Sequence, residues 1–174
     1  MKNKIKLLTL GHQDKNKNVI EFIEILNNDE EYNYEYVIYG KIEKKTFIKL
    51  LNTKGKNNKI TIVNRYINDF KFNYLLKKAD FIIIPNSTNY KFLQSGVIWD
   101  CFQNKKFFAA PENEINKHYL SKYNVGLTYF KEKKILKNMY NFNKKKNFKN
   151  FMKLNKDFSF KKNSFRFEKV LKYL

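Results

Sequence analysis

Residues 79–85, ADFIIIP, place four large apolar side chains in an unbroken run between an aspartate and a proline. A strand with no polar interruption is buried on both faces, which is typical of a parallel sheet that is covered by helices on both sides. Proline cannot continue such a strand, so the run ends at Pro85. This stretch predicts a central strand of a parallel sheet.

Strand-like and helix-like segments alternate about six times along the chain. Apolar and β-branched runs predict strands at residues 4–10, 34–39, 59–64, 81–84, 107–110 and 126–130. After each strand, apolar residues recur at helical spacing and predict helices at residues 18–26, 46–51, 70–78, 95–103, 114–123 and 131–140. This alternation predicts a doubly wound α/β fold, with a mostly parallel, six-stranded, Rossmann-like sheet between two layers of helices.

The chain is expected to form one domain over residues 1–174, with its core at residues 4–140. Residues 141–150 are rich in lysine and asparagine and have little to bury, so we predict an exposed loop there. A last helix is predicted at residues 164–174, with Ser164 as its N-cap.

The net charge of +20 comes from 36 basic residues against 16 acidic ones, and it favours anionic partners. Nucleic-acid readers prefer the planar fork of arginine, however, and Arg65 and Arg166 are the only arginines in this chain. The lysines accompany many Asn, Ile, Tyr and Phe residues, which is the composition of AT-rich coding sequence. Nucleic acid is therefore not the expected main partner.

Cys101 is the only cysteine, which excludes a disulfide scaffold and suits a reducing compartment. No apolar run approaches the roughly 20 residues that a membrane-spanning helix needs. The run at residues 5–10 is also too short for a signal peptide. We therefore expect a cytoplasmic protein.

Ligands of doubly wound sheets bind beyond the carboxyl ends of the strands, at the point where the strand order reverses. The first candidate loop is residues 11–18, GHQDKNKN, which lies between a strand and a helix. Gly11 permits a tight turn, and His12 and Lys17 add positive charge near the free N–H groups of the helix. This pattern fits a phosphate site, and it equally fits a solvated loop of a lysine-rich protein.

The second candidate segment follows the strand that ends at Pro85. A polar loop leads to Ser95 and Gly96 at the start of a helix, where the missing side chain of glycine lets a ligand approach the backbone. Asp100 follows four residues after Gly96, so the two share one helix face. A carboxylate there suits the two hydroxyls of a ribose, or pairs with a lysine at the surface.

Several common sites are absent from the sequence. It contains neither the P-loop motif nor Gly-x-Gly-x-x-Gly. Its two histidines and one cysteine are far apart, so no metal cluster is expected. No nucleophile and base can be paired, and the catalytic residues stay unidentified. We expect neither a metal nor another cofactor.

Taken in order, these segments resemble the C-terminal, nucleotide-sugar-binding lobe of GT-B fold glycosyltransferases, in the large retaining family (group 1) of bacterial surface-polysaccharide synthesis. Gly11 and Lys17 follow the first strand at the family's spacing, and residues 74–87 follow its pattern of short helix, Ala-Asp, apolar strand and Pro-Ser. Residues 95–110 follow its Ser-Gly start, acidic helix and apolar strand. The resemblance covers residues 4–140 and lies in the order and spacing of these blocks.

The chain departs from the family at three places. His12 stands where the family has a phosphate-binding arginine, and Lys-Lys-Phe at residues 105–107 replaces Gly-Lys-Pro. The family's two glutamates, eight residues apart, fall on Phe92 and Asp100. Nucleotide binding is therefore better supported than catalysis.

The resemblance implies a donor-binding domain for a nucleoside diphosphate sugar. The diphosphate would lie at Ser95 and Gly96, near His12 and Lys17, and Asp100 would hold the ribose. The lobe that binds the acceptor would come from elsewhere in a longer protein or from a partner chain. The lysine-rich surface is a candidate for an anionic membrane face, on the inner side of the membrane. The alternatives are a non-catalytic interaction module and, less favoured, a nucleic-acid-binding domain.

Overall fold

The computed structural model describes residues 4–85, 96–129 and 134–157, so the helix predicted at residues 164–174 lies outside the described part. Within these ranges, six strands form one sheet in which every neighbouring pair is parallel. The strands are β1 Ile5–Leu10, β2 Tyr34–Gly40, β3 Ile60–Asn64, β4 Phe81–Ile83, β5 Phe108–Pro111 and β6 Gly126–Tyr129. Each overlaps the strand predicted from the sequence, and the α/β fold class is confirmed.

The helices connect and cover the strands. They are α1 Val19–Asn27, α2 Lys44–Lys54, α3 Asp69–Lys78, α4 Gly96–Gln103, α5 Glu114–Tyr123, α6 Ile135–Asn141, α7 Lys144–Phe148 and α8 Asn150–Asp157. Asn68 caps α3 by accepting a hydrogen bond from the backbone N–H of Lys71 at 2.9 Å. In the described part of the chain, no helix is both long enough and apolar enough to cross a membrane.

The strands lie in the order β3-β2-β1-β4-β5-β6. Leu7 of β1 is paired with Tyr36 of β2 on one side and with Phe81 of β4 on the other. The chain therefore builds the sheet outward from β1 in one direction, and then outward from β4 in the other. This reversal opens a crevice at the carboxyl ends of β1 and β4, where doubly wound sheets bind their ligands.

A polar network inside the core joins the strands beside this crevice. The Tyr36 hydroxyl lies 2.7 Å from Oγ1 of Thr9, which donates a hydrogen bond to the carbonyl of Ile83 at 3.1 Å. Burial raises the pKa of Tyr36 well above its ordinary value. Phe22 of α1 covers the network, with its ring centroid 5.3 Å from that of Tyr36 and 5.2 Å from that of Tyr129. These contacts fix β2, β1 and β4 relative to one another.

The prediction of a loop at residues 141–150 is wrong, because this stretch contains α7 and the start of α8, although most of its residues are exposed as predicted. Oδ1 of Asn143 accepts a hydrogen bond from the backbone N–H of Lys146 at 2.9 Å and so caps α7. Asn147 is buried, and its Oδ1 accepts a hydrogen bond from Nδ2 of Asn124 at 3.0 Å. Capping and amide pairing stabilise a segment that has few apolar residues of its own.

Candidate functional site

The crevice is bounded by the loop that follows β1 and by the end of β4. The backbone N–H of Asn18, just before α1, donates a 2.6 Å hydrogen bond to the carbonyl of Pro85, just after β4. The Asn18 side chain does not cap α1; its Nδ2 donates to Glu21 at 3.2 Å instead. The start of α1 is thus held against the end of β4, at the position where the strand order reverses.

Two glycines let the loop after β1 lie against the end of β2. Gly11 has a φ of +93°, which disfavours any side chain, and its N–H donates to the carbonyl of Tyr39 at 3.1 Å. A Cβ atom on Gly40 would lie 1.9 Å from the carbonyl oxygen of Gly11. Position 40 must therefore be glycine for the loop to keep this path.

Gln13 anchors the same loop, although nothing in the sequence distinguishes it from the neighbouring polar residues. Its backbone N–H donates to the carbonyl of Lys41 at 2.9 Å, and its carbonyl accepts from the N–H of Glu43 at 3.1 Å. Its side chain is buried, with Nε2 donating to the carbonyl of Gly11 at 3.0 Å. Oε1 is buried without a hydrogen-bond partner among the described residues. The loop is therefore a folded extension of the sheet edge, whereas the sequence also allowed a solvated loop.

Lys17 lies on the final turn before α1. Its backbone N–H donates to the carbonyl of Asp14 at 3.1 Å, and Oδ1 of Asp14 accepts from the N–H of Asn16 at 2.8 Å. The Lys17 side chain is half-buried, and this burial lowers the pKa of its ammonium group, while the Asp14 carboxylate acts in the opposite direction. Lys17 and Asp14 line a cavity of about 420 Å³ between α1 and α2, together with Glu43 and Lys49.

Of the other predicted residues, His12 lies in the loop after β1, and Gly96 and Asp100 lie in helix α4. His12 is exposed beside Gly11. Gly96 begins α4, and a Cβ atom at that position would meet nothing within 4 Å. Ser95 and Phe92 lie outside the described residues. The structure thus joins Gly11, His12 and Lys17 in one loop against the end of β4, and it places Gly96 on the next helix.

Asp100 lies one turn into α4, on the same helix face as Gly96. It is half-buried, and burial raises the pKa of its carboxyl group. Its backbone carbonyl accepts a hydrogen bond from Nδ2 of Asn104 at 3.0 Å. Within the ranges that the structure describes, its carboxylate has no ion pair, so the predicted alternative of a lysine pair is not seen there.

A second cavity, of about 480 Å³, lies at the amino edge of the sheet. The Lys144 ammonium is 2.6 Å from Oδ1 of Asp80, and Oδ2 of Asp80 accepts from the backbone N–H of Lys6 at 2.8 Å. The Lys106 ammonium donates to the carbonyls of Lys77 and Ala79 at the end of α3. These charges are used to hold elements of the fold together.

Neither a protein-family model nor a curated protein sequence matches the chain. Solved structures do match it in fold. The E. coli structure of trehalose-6-phosphate bound with UDP-2-fluoro glucose has a TM-score of 0.68 at 9% identity, covering 87% of this chain and 39% of that one. The C-terminal domain of a glycosyl transferase group 1 family protein, LpcC, from Francisella tularensis has a TM-score of 0.60 at 16% identity. That match covers 89% of this chain and 87% of that one.

A third match, UDP-GlcNAc 2-epimerase from Methanocaldococcus jannaschii in complex with UDP-GlcNAc and UDP, has a TM-score of 0.59 at 20% identity, covering 99% of this chain and 46% of that one. The chain thus spans less than half the length of the first and third of these proteins. The likenesses confirm the predicted fold: the chain has the Rossmann-like α/β fold of one lobe of a GT-B glycosyltransferase.

Proposed function

We propose that the chain is the donor-binding lobe of a glycosyltransferase that takes part in the synthesis of a surface glycan, which is capsule, lipooligosaccharide or glycoprotein. The lobe binds a nucleoside diphosphate sugar in the crevice between β1 and β4. The observation that carries this proposal is the hydrogen bond from the Asn18 N–H to the Pro85 carbonyl, which builds the loop and the α1 start into the crevice wall. Two fold neighbours contain UDP or a UDP sugar, which supports the same ligand class.

The diphosphate would lie against the start of α4, at Ser95 and Gly96. The open space around Gly96 supports a close approach of the ligand to the helix N-terminus, where backbone N–H groups and the helix dipole favour anions. His12 and Lys17 would add positive charge from the loop after β1. Lys17 is half-buried, so its charge acts in a medium less polar than bulk water.

The ribose would be held by Asp100. A carboxylate that has no ion pair in the described part of the chain keeps both oxygens for accepting hydrogen bonds from two hydroxyls. In the transfer step, Lys17 and the N-terminus of α4 would stabilise the negative charge that develops on the leaving diphosphate.

Sugar transfer itself would need a second lobe or a partner chain. Holding an acceptor hydroxyl against the anomeric carbon contributes on the order of 7–11 kcal/mol to lowering the barrier. In this proposal the crevice positions only the donor, so the purified chain binds nucleotide sugars and makes no glycan. Glycan product from this polypeptide alone, at a turnover of about 1 per second, would contradict this division of labour.

The direct test is calorimetric titration of the chain with UDP, GDP, ADP and their sugars at moderate salt. Saturable binding of one nucleotide class is the expected result. A ligand present at about 100 times its dissociation constant should also stabilise the fold by roughly 2.7 kcal/mol. No binding of any nucleoside diphosphate would favour a non-catalytic interaction module with the same fold.

The net charge of +20 favours nucleic acid as a second candidate ligand. Binding of RNA or DNA by phosphate contacts falls steeply with salt, because each neutralised phosphate releases counterions. The affinity for a nucleotide that is held in the crevice by directed hydrogen bonds depends much less on the salt concentration. Tight, salt-sensitive binding of any RNA or DNA, without saturable binding of a mononucleotide, would replace the proposed function.

A further inference from the structure

The outer face of α3 carries aromatic rings that the fold leaves in solvent. Phe70 is 82% exposed and Tyr74 is 42% exposed, and Tyr66, in the turn before the helix, is 81% exposed. Leu76 is the one fully buried residue of α3, so the helix lies on the sheet by a narrow stripe. Exposed apolar side chains that are grouped in one patch mark interaction sites, whereas single exposed ones are ordinary.

Lysines stand among these rings. The Lys71 ammonium lies 5.4 Å from the centre of the Tyr74 ring, and the Lys78 ammonium lies 4.5 Å from it. Both lysines are exposed, and Asp69 is the one acidic residue of the helix. The surface made of Tyr66, Phe70, Lys71, Tyr74 and Lys78, called the α3 face below, is thus apolar and cationic at the same place.

We propose that the α3 face docks on the anionic headgroup surface of a lipid bilayer. Aromatic rings enter the boundary between headgroups and acyl chains, and lysines extend to the lipid phosphates while their methylene stems stay among the rings. Lysines close to the bilayer are attracted by the negative surface potential of anionic lipid, and this attraction falls off within a Debye length. This surface offers both contributions, which a single type of side chain would not.

The charge and shape of the α3 face favour a lipid bilayer over a second copy of the chain and over single-stranded nucleic acid. A second copy of the chain would place the same lysines against one another across a two-fold axis, and the net charge of +20 adds to that repulsion. Single-stranded nucleic acid binds in a groove where bases stack in succession. Among the described residues, Phe70 and Tyr74 lie exposed on the outward side of one helix and do not line a groove in which bases could stack in succession.

Docking by this face would also orient the crevice. Helix α3 begins just after β3, so Phe70 lies near the carboxyl edge of the sheet. β3 is two strands away from β1, about 10 Å across the sheet. The membrane would then lie beside the edge at which the crevice opens. The docking itself does not depend on what the crevice binds.

The test is co-sedimentation of the full chain with vesicles of phosphatidylcholine, alone or mixed with phosphatidylglycerol. Phe70→Ser with Lys71→Glu removes one ring and reverses one charge on the α3 face. Met152→Ser with Lys153→Glu is the matched control on α8, since Met152 is 64% exposed, Lys153 is exposed, and the net charge changes equally. Both pairs alter exposed side chains, and thermal unfolding of each variant checks that the fold is kept.

The wild type should bind the mixed vesicles and not phosphatidylcholine alone. The α3 variant should bind at least about tenfold more weakly, and the α8 variant within about twofold of wild type. Equal losses in both variants would mean that charge alone attracts the protein, and would overturn the proposed face. Loss of self-association or of RNA binding in the α3 variant, with vesicle binding unchanged, would assign the face to those partners instead.

Discussion

The carboxyl edge of the sheet and its amino edge both carry charged side chains, and the two edges differ in the interactions that determine their structure. At the amino edge, Asp80 bonds to Lys144 and to the backbone of Lys6, and Lys106 bonds to the end of α3. At the carboxyl edge, the shape is set by backbone contacts that only glycine permits, as between Gly11 and Gly40. The first edge uses its charges to join elements of the fold, and the second uses glycine to let the loop after β1 pass close to the backbone of β2. Substitutions of charged side chains at the two edges should therefore separate stability from binding, whereas loss of Gly40 should affect both.

The largest expected effect is that of Gly40→Ala. The new Cβ would lie 1.9 Å from the Gly11 carbonyl oxygen, and a backbone atom cannot yield as a side-chain end can. The loop after β1 must move, at a cost of about 3 kcal/mol or more in the free energy of unfolding. Urea denaturation measures the loss, and nucleotide binding should weaken in the fraction that stays folded.

Gly55→Ala is the control for this substitution. Gly55 has a φ of +53°, but a Cβ there would have its nearest contact at 3.8 Å. With its ψ of −131°, Gly55 has a conformation almost confined to glycine, so the substitution should cost about 1–3 kcal/mol from the backbone alone. If Gly40→Ala costs no more than Gly55→Ala, the close approach at the carboxyl edge is not a constraint on the fold.

The sequence predicted the fold well because its signals are local. The apolar run of β4, the spacing of α1 and the turn at Gly11 each follow from neighbouring residues. The α7 segment was missed because Asn147 is stabilised by Asn124, which is distant in sequence. Gln13 was missed for the same reason, since its anchoring partners belong to the β2–α2 connection.

The site was less predictable than the fold. The order of blocks made the loop at residues 11–18 and the helix at Asp100 candidates for the site. An aspartate in the pattern Ala79-Asp80 looks the same in sequence whether its carboxylate binds a ligand or joins two elements of the fold. In the structure Asp80 accepts from the backbone of Lys6 and pairs with Lys144. Such roles depend on which elements meet at an edge, and the sheet order decides that.

The second prediction concerns Lys17→Ala, which should weaken binding of a nucleoside diphosphate by about 1–3 kcal/mol without loss of stability. Because burial lowers the pKa of Lys17 below that in the unfolded chain, holding the ammonium charged destabilises the folded state at neutral pH. That cost disappears as the pH rises through the lowered pKa toward the unfolded value. Removing the amine should therefore leave the free energy of unfolding at pH 7 unchanged or slightly higher.

Lys15→Ala is the matched control, since Lys15 is an exposed lysine of the same loop. Calorimetry should find its affinity close to that of wild type. An equal loss of affinity in both variants would show that the ligand responds to the general charge of the loop. Unchanged affinity in Lys17→Ala would remove that residue from the site.

The third prediction concerns Asp80→Asn at the amino edge, which should lower stability without changing nucleotide affinity. Asp80→Asn keeps the size of the side chain but removes the charge that accepts from Lys144 and from the backbone N–H of Lys6. The group is partly exposed, so the expected loss in the free energy of unfolding is about 1–2 kcal/mol. Nucleotide affinity should stay at the wild-type value. A clear loss of affinity with unchanged stability would place a ligand at the amino edge and invert the comparison.

The smallest expected effect, and the sharpest for the site, is that of Asp100→Asn. If the carboxylate accepts hydrogen bonds from both ribose hydroxyls, the substitution should weaken the binding of a ribonucleotide by about 1 kcal/mol more than the binding of the matching deoxynucleotide, which offers one hydroxyl fewer.

Burial raises the pKa of Asp100, so its ionised form destabilises the folded state at neutral pH. This cost vanishes as the pH falls below the pKa that Asp100 has in the unfolded chain. The neutral amide should therefore unfold no more easily than wild type at pH 7. Parallel titrations of the two nucleotides against both proteins measure the difference directly. Equal losses for ribose and deoxyribose would leave Asp100 as a partly buried charge of α4 with no part in holding the sugar.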